Sequence, residues 1–111
     1  MSRLRDRKCA ACAPGTPPLA SDRMAELAVQ LEPGWRVADD GKSLRRSYAF
    51  ANFHETMAFV NAVAWIANTE DHHPDLEVGY DYCRVTFATH SIGGLSENDF
   101  ICAAKVDALQ T

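Results

Sequence analysis

Three of the chain's four histidines have the type and spacing of an acid–base site. His72 and His73 are adjacent and stand directly before Pro74, and His90 follows His73 by seventeen residues. Imidazole exchanges a proton near neutral pH because its ordinary pKa is about 6.5. Glu70 and Asp71 immediately precede the pair, and a carboxylate beside an imidazole orients it and favours its charged form. One acid and one base in a cleft suit a proton transfer such as the addition or loss of water. Two other uses of the same residues stay open at this level. Three imidazoles can hold a zinc ion with one free position, although neighbours in an extended segment point opposite ways, which disfavours His72 and His73 on one ion. A histidine at a helix end also serves as a C-terminal cap or a surface residue. His54, near the start of a helix, reads as exposed and structural.

Positioning these side chains falls to the elements around them. Ser21 is a good N-cap, and Met24, Leu27, Ala28 and Leu31 follow at helical spacing until Pro33-Gly34. Residues 35–37 and 44–50 read as strands joined by a turn at 39–42. Asn52 opens a second helix with Glu55 as its capping partner, and Phe53, Met57, Val60, Ala64 and Ala67 form a stripe that ends near 68–71. Pro74 holds His73 extended. Leu76, Val78 and Tyr80 alternate, as do Cys83, Val85 and Phe87. If these two runs pair as a tight hairpin, its outer ends meet, which brings His90 within side-chain reach of the His72-His73 loop. Gly93-Gly94 turns the chain, Ser96 with Asp99 caps a last helix, and Phe100, Ile101, Ala104 and Ala108 supply its buried face. The order α-β-β-α-β-β-α predicts an α+β fold: a four-stranded, mostly antiparallel sheet with helices packed on one face.

Bulk properties bound the function. A chain of 111 residues with 47% hydrophobic and 23% charged residues fits one ordinary globular domain. So small a core favours self-association, as a dimer or tetramer. A net charge of −4 argues against a phosphate-backbone partner, and the one basic run, Arg3, Arg5, Arg7 and Lys8, reads as a solvated tail. The apolar run 57–67 is too short to span a membrane, and no secretory segment follows the basic start, which points to the cytoplasm. Residues 1–20 form a Pro/Ala/Gly-rich leader that need not pack, and 21–111 form the domain. The leader carries Cys9 and Cys12. A structural zinc site wants four ligands, and no second pair accompanies them, so a weak metal clip is the most this CxxC offers. Cys83 and Cys102 read as small core residues.

The stretch EDHHPDLEVGYDYCRVTFATHSIGGLSENDF, residues 70–100, resembles the signature region of the pterin-4a-carbinolamine dehydratases. The shared pattern is His72-His73-Pro74, Tyr80 six residues after the proline, His90 ten further on, and Asp99 nine beyond that. The likeness covers roughly residues 21–108, and even the leader with Cys9 and Cys12 is similar to bacterial members. One position departs: Asn68 stands where the family usually has a charged residue. The resemblance implies dehydration of a small-molecule 4a-hydroxytetrahydropterin to the quinonoid dihydropterin, which serves aromatic amino-acid hydroxylases and needs no metal or organic cofactor. It implies His72, His73 and His90 as the catalytic set, and Asp71, Ala88, Thr89 and Ser91 with those histidines as the pterin-binding residues. Because some relatives are dimerisation partners of a transcription factor, a helix-presenting interaction module is the alternative. Retention of all three histidines favours the enzyme.

Overall fold

The structure is a computed structural model that describes residues 3–110. Met1 and Ser2 of the expected leader, and Thr111, lie outside the described residues. Three helices, α1 (Ser21–Ala28), α2 (Phe53–Glu70) and α3 (Glu97–Asp107), accompany four strands, β1 (Arg36–Val37), β2 (Leu44–Ala49), β3 (Asp75–Val78) and β4 (Tyr82–Phe87). The sheet order is β1-β2-β4-β3 and every pairing is antiparallel, so the expected α+β fold is the one found. Its alternation is clean: Leu44 and Tyr48 on β2 and Cys83, Val85 and Phe87 on β4 are buried, while Arg45, Ser47 and Ala49 between them face water. This one-sided pattern is what an antiparallel sheet covered on one face requires.

α3 is the centre of the helical layer. Phe100 to Ala104 are all buried, because α1, α2 and a 3-10 turn at Leu4–Asp6 pack around the helix. Its far end carries a second polar hub. The buried Asp107 carboxylate accepts from Arg46 Nη1 at 2.6 Å, Tyr48 OH at 2.8 Å, Trp35 Nε1 at 2.9 Å and the Glu32 main-chain N–H at 3.0 Å. Burial, and then the neighbouring Asp107 charge, push the Tyr48 hydroxyl well above its ordinary pKa, so it stays a donor.

Three expectations change. The buried face of α2 is Thr56, Phe59, Val63, Ile66 and Ala67, not the stripe through Phe53, Met57, Val60 and Ala64; Phe53 and Ala64 are exposed. Thr56 is the reason a polar residue sits inside: its hydroxyl bonds the Asn52 and Tyr80 carbonyl oxygens, both at 2.9 Å. α1 ends at Ala28, three residues before the expected stop, although Leu31 stays buried in the turn that follows, and its cap residue is Ala20 rather than Ser21. The leader, expected to need no packing, lies against α3. Leu4 is 2% exposed, and the Leu19 N–H donates to the Leu95 carbonyl at 2.9 Å. One buried apolar residue among charges anchors its start, and hydrogen bonds to Glu70 and Asn98 hold it further along.

Asp107→Asn should lower unfolding free energy by about 3 kcal/mol in denaturant titration, since it leaves Arg46 without its counter-charge in a largely buried place. Tyr48→Phe, which removes one hydrogen bond of the four, should cost only about 1 kcal/mol. Equal effects would show that the hub is not organised around the carboxylate.

Candidate active site

The His72-His73 loop begins where α2 is stopped. Asp71 takes the left-handed conformation (φ 53°, ψ 43°), which aspartate tolerates better than most residues, and its N–H caps the Ala67 carbonyl. The His72 N–H returns to that same carbonyl at 3.1 Å. The imidazole of His72 is thereby brought over the sheet, where its ring stacks on Phe87 with centroids 6.1 Å apart and planes 8° from parallel.

A carboxylate waits there. His72 Nε2 lies 2.6 Å from Asp99 Oδ1, and Asp99 is fully buried. The other Asp99 oxygen accepts from Thr89 Oγ1 at 2.7 Å and from the Ser96 N–H at 2.9 Å, the acidic half of the expected capping box. Thr89 Oγ1 in turn lies 2.8 Å from Ser96 Oγ. With Nε2 engaged as the donor to Asp99, Nδ1 is the nitrogen left to accept or release a proton. The hydrogen bond to Asp99 raises the His72 pKa above its ordinary value; burial opposes this, and the charges of Asp99, Cys9 and Asp71 add to it.

A pocket of about 330 Å³ opens beside this pair. It is lined by Asp71, His72, Thr89 and Ser91, together with Glu70, Asn98 and the leader residues Cys9 to Cys12. Of the residues expected from sequence, these first four are gathered; His73, Ala88 and His90 are not among the lining residues. His90 is exposed, the first residue of a 3-10 turn (His90–Ile92), between the two lining residues Thr89 and Ser91. Register explains its placement. β3 pairs Asp75 with Thr86, and the same antiparallel count carries the Asp71-His72 loop alongside Thr89 and His90. His73 faces away from Asp99, with Nε2 donating to Asn68 Oδ1 at 3.1 Å. The unusual Asn68 therefore holds His73 and has no part in orienting His72. The Glu70 carboxylate is engaged elsewhere: it accepts the Cys9 N–H at 2.8 Å and faces Lys105 Nζ at 3.8 Å. His54 is exposed, as expected. Among the described residues no three His, Cys, Asp or Glu side chains are grouped as a metal ion would require.

Two participants were not singled out as site residues from the sequence. Asp99 appeared as a helix cap and a pattern position, and its partnership with His72 becomes visible only when α3 is docked. The leader's share of the pocket carried no sequence signal beyond the CxxC.

The chain is thus a small α+β protein whose candidate site centres on a half-buried imidazole held by a buried carboxylate at the end of an antiparallel hairpin. Residues 17–109 match the model of the family "Pterin 4 alpha carbinolamine dehydratase", and the chain belongs to that family. It is 58% identical over 106 residues to a protein of Nitrosomonas europaea, covering 96% of this chain and 92% of that one. It is 54% identical over 108 residues to one from Legionella pneumophila, covering 97% and 96%. Both carry pterin-4-alpha-carbinolamine dehydratase as a provisional name. The crystal structure of a transcriptional coactivator/pterin dehydratase from Brucella melitensis superposes with a TM-score of 0.79 at 33% identity, over 85% of this chain and 99% of that one. A pterin dehydratase-like protein identified as a RuBisCO assembly factor in the alpha-carboxysome gives 0.60 at 28% identity, over 68% and 88%.

The titration of His72 follows from its partner. Because the folded pKa is raised, its contribution to stability is fully present below the unfolded histidine value of about 6.5 and is lost as pH rises through the higher folded value. NMR titration should place the His72 ring above the ordinary histidine range, and Asp99→Asn should move it down. An unmoved His72 titration in that variant would remove Asp99 as the cause.

Proposed function

We propose that the chain dehydrates a 4a-hydroxytetrahydropterin to the quinonoid dihydropterin and water by histidine acid–base catalysis. The observation that carries this reading is the His72–Asp99 pair at 2.6 Å, with its ring at the wall of a pocket large enough for a two-ring heterocycle. The reaction breaks the C4a–oxygen bond, delivers a proton to the departing oxygen and removes one from a ring nitrogen. Two proton-carrying groups are needed and no cofactor. His72 supplies one through Nδ1. His90, exposed beside Thr89 and Ser91, supplies the other, and His73 binds the substrate from the Asn68 side. Asp71, Ala88, Thr89 and Ser91 complete the binding set, Thr89 chiefly through its bond to Asp99.

In this reading the product serves an aromatic amino-acid hydroxylase once a separate two-electron reduction has restored the tetrahydropterin, and the site of action is the cytoplasm, in keeping with four free thiols. Among the described residues no helix is long and apolar enough to cross a membrane. Self-association belongs to the same reading, supported by the outer face of α2, where Trp65 is 69% exposed. The Brucella and carboxysome proteins bear titles that name coactivator and assembly roles, and the same α2 face is what an interaction module of this fold would present.

Decay of 4a-hydroxypterin in a hydroxylase-coupled assay should accelerate when the protein is added. His72→Ala or His90→Ala should each reduce that acceleration by ~10²-fold while far-UV circular dichroism stays unchanged. Full activity in both variants would remove the histidines from the chemistry, and no acceleration by the wild type would favour the interaction module. Separately, sedimentation should find an oligomer that Trp65→Glu dissociates; a wild-type monomer would contradict the association.

A further inference from the structure

The leader ends its path over α3 with one sulfur against another. Cys9 Sγ lies 3.4 Å from Cys102 Sγ, although the two are 93 residues apart. This proximity is built by the strap's own anchors. Ala10 is clamped at both main-chain groups: its N–H donates to Asn98 Oδ1 at 3.1 Å, and its carbonyl accepts from Asn98 Nδ2 at 2.7 Å. The Cys9 N–H is fixed on Glu70 at 2.8 Å. Cys12, the other half of the CxxC, is directed elsewhere, its sulfur 3.9 Å from Asn98 Nδ2. Exposure divides the pair: Cys102 is fully buried in α3, one turn past Asp99, while Cys9 is half-buried and lines the pocket beside His72.

We infer that Cys9 and Cys102 form an oxidation site at which a small hydroperoxide entering the pocket converts the two thiols to a disulfide that fastens the leader to α3. The steps balance. The Cys9 thiolate attacks the terminal peroxide oxygen; an S–O bond forms, the O–O bond breaks and hydroxide (or the alkoxide of an organic hydroperoxide) leaves, giving a sulfenic acid. Cys102 sulfur then attacks Cys9 sulfur; the S–S bond forms, the S–O bond breaks, and the oxygen departs as water with the Cys102 proton. Sulfur has lost two electrons and the peroxide oxygen has gained them.

Electrostatics suits that order of events. The hydrogen bond from Cys102 is the largest influence lowering the Cys9 pKa, and the nearby His72 adds to it against the cost of burial. Cys102 is pushed up first by its bond to Cys9 and then by burial. Once Cys9 is oxidised it no longer carries the thiolate that kept the Cys102 proton in place. Closing the sulfurs to ~2.05 Å falls to the strap, which near Cys9 is neither helix nor strand and can shift more easily than α3.

Hydrogen peroxide added to the folded full-length protein should remove two of its four free thiols, and dithiothreitol should restore them. Non-reducing peptide mapping should find Cys9 joined to Cys102 in the wild type and in Cys12→Ser. Cys102→Ala should instead stop at a Cys9 sulfenic acid that dimedone traps. A Cys9–Cys12 link, a Cys9 oxidised beyond the sulfenic state while Cys102 stays free in the wild type, or no thiol loss would each overturn the inference. None of these readouts depends on turnover of a pterin.

Discussion

The carboxylate of Asp99 is the constraint on which the site depends. A buried charge is costly unless its oxygens are satisfied, and here every bond that satisfies it fixes a different piece of the molecule. The Ser96 N–H sets the start of α3, the Thr89 hydroxyl sets the end of the β4 extension, and His72 Nε2 sets the loop that leaves α2. Three chain segments are thus held in mutual register by one side chain. The geometry around His72 and the packing of α3 are consequently the same structural fact.

The hairpin β3–β4 and the stop of α2 deliver the partners to that carboxylate. A left-handed Asp71 turns the chain off the helix, Pro74 extends it into β3, and antiparallel pairing returns β4 so that Thr89 comes alongside. Phe87 supplies a flat apolar floor for the His72 ring. The far end of α3 repeats the arrangement with Asp107, which gathers donors from β2 and the α1–β1 segment and takes no part in the pocket. One helix therefore carries a buried acid at each end: Asp99 positions the His72 imidazole, and Asp107 ties the helix to the sheet.

Much of this was legible in the residues. Period-two alternation in 82–87 gave β4 its buried face, and Asn52 caps α2 through the Glu55 N–H, one half of the expected capping box. The hairpin argument brought the end of β4 beside the His72 loop, while Asp71, Thr89 and Ser91, which line the pocket with His72, were implied by the resemblance alone. The face of α2 was misjudged because that helix is apolar on several sides and its buried polar residue, Thr56, breaks the stripe. Tyr80, expected to extend β3, lies beyond its end, exposed and stacked on Phe53. The Asp99–His72 contact and the Cys9–Cys102 contact span long stretches of chain and depend on how α3 docks, which no local pattern encodes. The leader's Pro/Ala/Gly-rich composition gives no sign of packing, yet Leu4 and two clamps by side chains of the domain decide its course.

The central claim is that Asp99 sets the proton affinity of His72, the imidazole proposed to carry the reaction. The pH–rate profile of 4a-hydroxypterin dehydration, compared between the wild type and a folded Asp99→Asn protein, tests it most directly. The limb governed by His72 should move to lower pH when the carboxylate becomes an amide, in step with the loss of its charge and its strong hydrogen bond. A profile that keeps the same limbs at reduced amplitude would contradict the claim and leave Asp99 with a purely structural place at the start of α3.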